Sequence, residues 1–413
     1  MAEMSESDLK ELIETLTQSH IIIGQRIEKT PENSYGFKHV GAIPPDEVAL
    51  LFLGGTGTEV DKGADRSANG YLSTLEEYLK GHGLEEILQQ QGKDTDLKKS
   101  IGLYSVIYNF GKNINGEIVC DKNMARAKLY ADHKQYLSSN KEKIKKDIAK
   151  LDEETKDPHY VDELFEKAFL SRICDEKGKK LPFDEACRRV RNLTVCAHCH
   201  GAYTFLKIEE KMQQKMQQLG YSKEERTKIQ GQLFCIALAP DAPLGISKSK
   251  MISFASVYDK TINGNIYQRN NFKNVIKGII DYETEKRVDI SLTKLAYLSG
   301  RRGEVFLVKN LYKEGKENRE IEHNFSINPK YSLTKQGNIL FFIAISSIAE
   351  GIKSSLKKTP ITTTKDLFLS IFKNDKRAAS TFEILKRNGD ILWNNMRIGL
   401  SINLAKQYKQ KEH

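Results

Sequence analysis

The run LTVCAHCHGAYTF, residues 193–205, gathers two thiols and two imidazoles within five positions. Three chemistries use those residue types at that spacing. Cys196, Cys199 and His200 spell C-x-x-C-H, the attachment pattern of a c-type haem. The same cysteines with His198 and His200 offer donors for a zinc ion. Cys199 can also be a nucleophile on a sharp strand-to-helix turn, where serine stands in G-x-S-x-G.

Composition and spacing weigh the three differently. Covalent haem attachment normally follows export, yet the first residues, MAEMSESDLKELIETLTQSH, are acidic and amphipathic and lack the basic and apolar regions of a signal peptide. Six cysteines in 413 residues without such a signal suggest free thiols in a reducing compartment. A structural zinc site needs a second ligand pair, and Cys174 and Cys187 are isolated. The nucleophile reading asks for small neighbours, because a tight turn leaves no room for larger ones. Ala197 and Gly201 stand two residues before and two after Cys199, so this reading is preferred, with no metal or cofactor expected. Metal binding through the CAHCH segment stays open as an alternative.

A turn of that kind needs a strand before it and a helix after it. Leu193 to Ala197 reads as the strand, and GAYTFLKIEEKMQQKMQQLG as the helix. Apolar runs of similar length recur from Val48 to Leu53, Leu103 to Phe110, Leu233 to Ala239, Met251 to Tyr258 and Glu304 to Lys309. Continuous apolar runs are the signature of strands buried on both faces of a parallel sheet. Their alternation with helical patterns argues for an α/β fold with a doubly wound, mainly parallel sheet. The expected organisation is a helical N-terminal extension with a loop over 1–45, a main domain over 46–355, and a helical C-terminal extension over 356–413. A charged helical insertion spans about 124–190 within the main domain, and a helix is expected from about Lys335 to Ser355.

In open parallel sheets, functional groups collect beyond the carboxyl ends of the strands. There the sequence sets Gly54-Gly55-Thr56-Gly57, then Cys199, then Asp259, and His323 about fourteen residues after the Glu304 strand. Nucleophile, acid and base in that chain order are the α/β-hydrolase arrangement. His323 would act as general base toward Cys199, with Asp259 fixing its tautomer. The backbone N–H of His200, with one from Gly55 or Thr56, would stabilise an oxyanion.

The run AHCHGAYTF resembles the GFSRGAYTA elbow of bacterial type VI secretion lipase effectors and their relatives in the α/β-hydrolase superfamily. LFLGGTGT stands where those proteins carry a D-G-T turn, with Gly54 in place of the Asp, and SVYDKTI is similar to their W-D-T-V strand end. The resemblance spans roughly residues 47–350 through these short pieces. It implies Cys199 as nucleophile, Asp259 as acid and His323 as base. Cysteine in place of serine widens the implied substrates from lipid and other acyl esters to thioesters, acyl transfer and peptides. The alternative is a hydrolase fold that has lost catalysis and serves as a binding protein.

The net charge of +10 comes from 65 Lys and Arg dispersed along the chain. Dispersed charge mainly keeps a protein soluble, so no nucleic-acid partner is expected, and peripheral contact with a membrane is left open. The longest apolar run, NILFFIAISSIAEGI from Asn338, is shorter than the ~20 residues of a membrane span. The expected location is cytoplasmic as made, with export by a signal-independent route as the alternative that the effector resemblance implies.

Overall fold

The structure is a computed structural model, and it describes residues 21–31, 33–34, 36–55, 64–108, 159–240, 247–256, 304–308, 339–361 and 391–394. Nine strands form one mixed, mostly parallel sheet in the order β2-β1-β4-β3-β5-β6-β7-β8-β9. They are β1 (Ile21–Arg26), β2 (Phe37–Val40), β3 (Ala49–Leu53), β4 (Gly102–Tyr108), β5 (Leu193–His198), β6 (Phe234–Leu238), β7 (Lys250–Ser256), β8 (Glu304–Val308) and β9 (Ile391–Asn394). Pairing is parallel from β4 through β3, β5, β6 and β7 to β8. It is antiparallel at the two margins, where β1 joins β2 and β4, and β9 joins β8. The α/β architecture expected from the alternating runs is present.

Helices cover both faces. On one face lie α1 (Ala64–Leu79), α2 (Leu84–Gln90) and the late helix α8 (Ile339–Leu356), with the short α3 (Leu97–Ser100) beside α2. On the other lie α4 (His159–Ala168), α5 (Phe183–Arg191), α6 (Gly201–Gln218) and α7 (Lys223–Gln230). The inner strands are sandwiched between two apolar layers, which is why β3, ALLFL, is apolar and buried at every position. Leu51, Leu53, Val195 and Ala197 belong to the core under α4 and α6. Strand alternation turns their neighbours Leu50, Phe52, Cys196 and His198 toward α1 and α8.

The edges differ from the sequence reading. Ile21–Arg26 and Phe37–Val40 pair as antiparallel strands β1 and β2 where a loop was expected, the lead-in helix before them lies outside the described residues, and Ile391–Asn394 forms β9 where a helical tail was expected. The described part of the expected helical insertion holds α4, a 3-10 turn at Leu170–Arg172, and α5, but the stretch between the last two is non-helical and closes through an antiparallel bridge between Cys174 and Lys180.

The order β4-β3-β5 positions the site. From β3 the chain crosses to its neighbour β4 on one side, and from β5 it crosses to β6 on the other. Crossovers that diverge in this way leave a crevice between the carboxyl ends of β3 and β5. At the opposite ends of the same strands, buried Arg172 donates to the carbonyl oxygens of Pro44, Pro45, Ala168 and Arg189, and Asn192 Nδ2 donates to the Asp46 carbonyl. These bonds fix the entry of β3 against α5 and the start of β5.

Candidate active site

Cys199 follows the last residue of β5 and stands two residues before the first residue of α6, with His200 between. Its φ is 52°, in the left-handed region, which costs a non-glycine residue about 1–3 kcal/mol unless its surroundings enforce it. Three features enforce it here. The Cys199 N–H donates to the Leu238 carbonyl of β6 at 3.1 Å. Its carbonyl accepts from the Ala202 N–H at 3.2 Å, so the first turn of α6 starts directly on the thiol residue. Gly201 lets that turn sit on the end of β3, since a side-chain carbon there would stand 2.6 Å from the Leu53 carbonyl carbon.

The exit of β3 closes the turn from the other side. A side-chain carbon at Gly55 would lie 2.6 Å from Cys199 Cβ, 3.0 Å from its Sγ and 3.2 Å from the His200 nitrogen. Gly55, Cys199 and the His200 amide, all expected at the site, are therefore brought together at the crevice. The thiol residue is only 3% exposed.

The two imidazoles beside it part company. Alternation along β5 turns His198, with Cys196, toward α1 and α8. His200 turns to the opposite face, where its Nε2 lies 3.2 Å from the Tyr160 hydroxyl and its ring stacks on Tyr203 at 5.1 Å. Divergent rings explain why the CAHCH segment does not gather as a ligand set. Among the described residues, no three His, Cys, Asp or Glu side chains are grouped to hold a metal ion.

Three of the other described cysteines are held protonated by their surroundings. Burial pushes the Cys196 and Cys235 thiols far above the ordinary range and that of Cys187 up to about 11, which leaves them protonated and inert at neutral pH. Tyr71 of α1 was not singled out from sequence. Its phenol is raised by burial and then by the neighbouring Cys199, and its ring packs 5.0 Å from that of Phe52. The available signal was topological: a helix leaving the end of β3 passes over the end of β5. Tyr160 was missed as well, because its link to His200 joins residues 40 apart on separate elements. Thr56, Asp259 and His323 lie outside the described residues.

Compared with protein-family models and with curated proteins, the chain matches none. Among the described residues, no helix is long and apolar enough to cross a membrane.

Proposed function

We propose that the chain is a hydrolase with a cysteine nucleophile, built on an α/β-hydrolase-like scaffold and acting on an acyl ester or thioester. The observation that carries this reading is the left-handed conformation of Cys199 between β5 and α6. Backbone strain of this kind persists where surrounding structure over-determines it, and it clusters at reactive sites. The parallel run of β4-β3-β5-β6-β7-β8 and the crevice beside β3 support it further.

In this reading, His323 takes the thiol proton as the Cys199 sulfur bonds to the acyl carbon. The resulting oxyanion is held by the His200 N–H and by that of Gly55 or Thr56. Collapse restores the carbonyl and expels the alcohol or thiol, which leaves with the proton from His323. Water, deprotonated by the same imidazole, then cleaves the acyl-thioester and frees the thiol. Asp259 holds the ring of His323 throughout. The net charge of +10 favours acyl substrates with acidic headgroups, including lipids, met at a membrane surface without insertion.

Cys199→Ala should abolish turnover of an activated thioester such as an acyl-thiocholine while keeping the wild-type circular dichroism. Full activity in that variant would end the proposal. The burial of Cys199 favours a second reading, a hydrolase-fold binding protein without turnover. Iodoacetamide separates the two: selective alkylation of Cys199 over the other five cysteines supports the enzyme, and uniform slow alkylation supports the binding protein.

A further inference from the structure

We infer that Tyr160 and His200 form a positioning pair that holds the Cys199 turn in its reactive shape, an inference that rests on the nucleophile reading above. Residue 199 joins two pieces of backbone through a left-handed link, and that link keeps its φ only while both pieces stay fixed. The β5 side is fixed by the sheet, through the Cys199 N–H and the Leu238 carbonyl. The α6 side begins at His200, whose backbone is already helical at φ −60° and ψ −22° and whose carbonyl accepts from the Thr204 N–H at 3.1 Å.

The His200 side chain anchors that second piece. Its Nε2 and the Tyr160 hydroxyl are 3.2 Å apart, and its ring lies nearly parallel to Tyr203 at 18°. Tyr160 is in turn held edge-on by Tyr108, with ring centroids 5.6 Å apart at 84°. Tyr160 and His200 are 0% and 1% exposed. A hydrogen bond sealed from water in this way is directional and resists rearrangement. With Nε2 committed to Tyr160 and a face committed to Tyr203, the imidazole anchors the start of α6. Tyr160 belongs to α4, which returns from the segment after β4, so a helix outside the β5-turn-α6 unit sets where α6 begins. Without the bond, the start of α6 is free to shift, residue 199 relaxes from its left-handed state, and the thiol loses its fixed place between β5 and α6.

The test uses the full chain and two readouts: the iodoacetamide alkylation rate of Cys199, mapped by peptide mass, and turnover of acyl-thiocholine. Tyr160→Phe keeps the ring and removes the hydroxyl. It should slow alkylation of Cys199 about tenfold, the equivalent of one lost hydrogen bond, and lower kcat by a similar factor at unchanged KM. His200→Gln, which offers Tyr160 a polar partner again, should recover most of the alkylation rate that His200→Leu loses. Should Tyr160→Phe fail to fold, the two His200 variants decide the matter alone. Variants that change the thermal midpoint but leave alkylation and kcat within about twofold would overturn the pair, because core packing alone predicts that pattern. If alkylation responds to Tyr160 while no thioester is turned over, the pair stands and the hydrolase reading falls.

Discussion

The backbone of Gly55 lies against Cys199 so closely that a methyl group at residue 55 would come within 2.6 Å of the cysteine Cβ and 3.0 Å of its sulfur. Two strand ends thus share one small space, and neither can carry bulk. Gly55→Ala should push the exit of β3 away from the turn. We expect a loss of about 1–3 kcal/mol, typical of overpacking in a rigid site, read from urea denaturation, together with slower alkylation of Cys199. Gly201→Ala should be worse, since its methyl would meet the main chain at Leu53, which cannot rotate away as a side chain can. An alanine tolerated at both positions would mean that β3 and the turn are further apart.

The left-handed φ of Cys199 makes a separate prediction about stability. Alanine at 199 removes the thiol but keeps the steric conflict of a Cβ, whereas glycine removes both. Cys199→Gly should therefore be more stable than Cys199→Ala by about 1 kcal/mol, despite the greater chain entropy of glycine in the unfolded state. Both should be inactive. Urea denaturation of the two variants checks this directly, and an alanine variant as stable as the glycine one would argue that residue 199 is unstrained.

Much of this arrangement was legible in the sequence because it follows from rules that hold along short stretches. A strand buried on both faces must be apolar throughout, so the inner strands β3 to β8 stood out as apolar runs, and their observed ends fall close to the ends of those runs. The turn at Cys199 was legible because close packing demands Ala197 and Gly201. The margins were not. In β1, three isoleucines are followed by GQR, and β2 is the four residues FKHV with two exposed; such strands are specified by the partner they pair with and carry little pattern of their own. The four-residue β9 is silent for the same reason. Tyr160 and His200 meet only because α4 packs on α6, a tertiary fact with no local trace.

Arg172 tests the other end of the strands. Its guanidinium is fully buried and donates to four carbonyl oxygens, while burial lowers its pKa to about 10, an effect that nearby Glu47 opposes. Glu47 also accepts a hydrogen bond from the Tyr104 hydroxyl. Arg172→Met would fill similar space but leave those carbonyls without their donor and Glu47 without its neighbouring positive charge. The expected loss is about 3–5 kcal/mol, the range for breaking a buried charge interaction from one side. Because the change is remote from the turn, alkylation of Cys199 in the folded fraction should keep its wild-type rate. A variant of wild-type stability would show that water replaces the guanidinium.

Glu209 supplies the pH dependence. This α6 carboxylate is 3% exposed and accepts from the Ser247 hydroxyl at 2.6 Å, the Ser249 N–H at 2.7 Å and the Lys248 N–H at 3.1 Å, tying the approach to β7 onto α6. Burial raises its pKa, and those hydrogen bonds only partly pull it back. A carboxyl group with a folded pKa above its unfolded value of about 4.3 holds its proton longer in the native state than in the unfolded one. Its contribution to stability is therefore greatest below the unfolded value and declines as pH rises from there through the folded value, levelling off above it. Glu209→Gln cannot titrate, so it should lack this part of the slope, although its amide nitrogen meets the Lys248 N–H badly. The measurement is unfolding free energy from about pH 4 to pH 8 for both proteins. The difference, wild type minus variant, should fall as pH increases; a difference that rises with pH would mean that the serines and amides stabilise the carboxylate more than burial disfavours it.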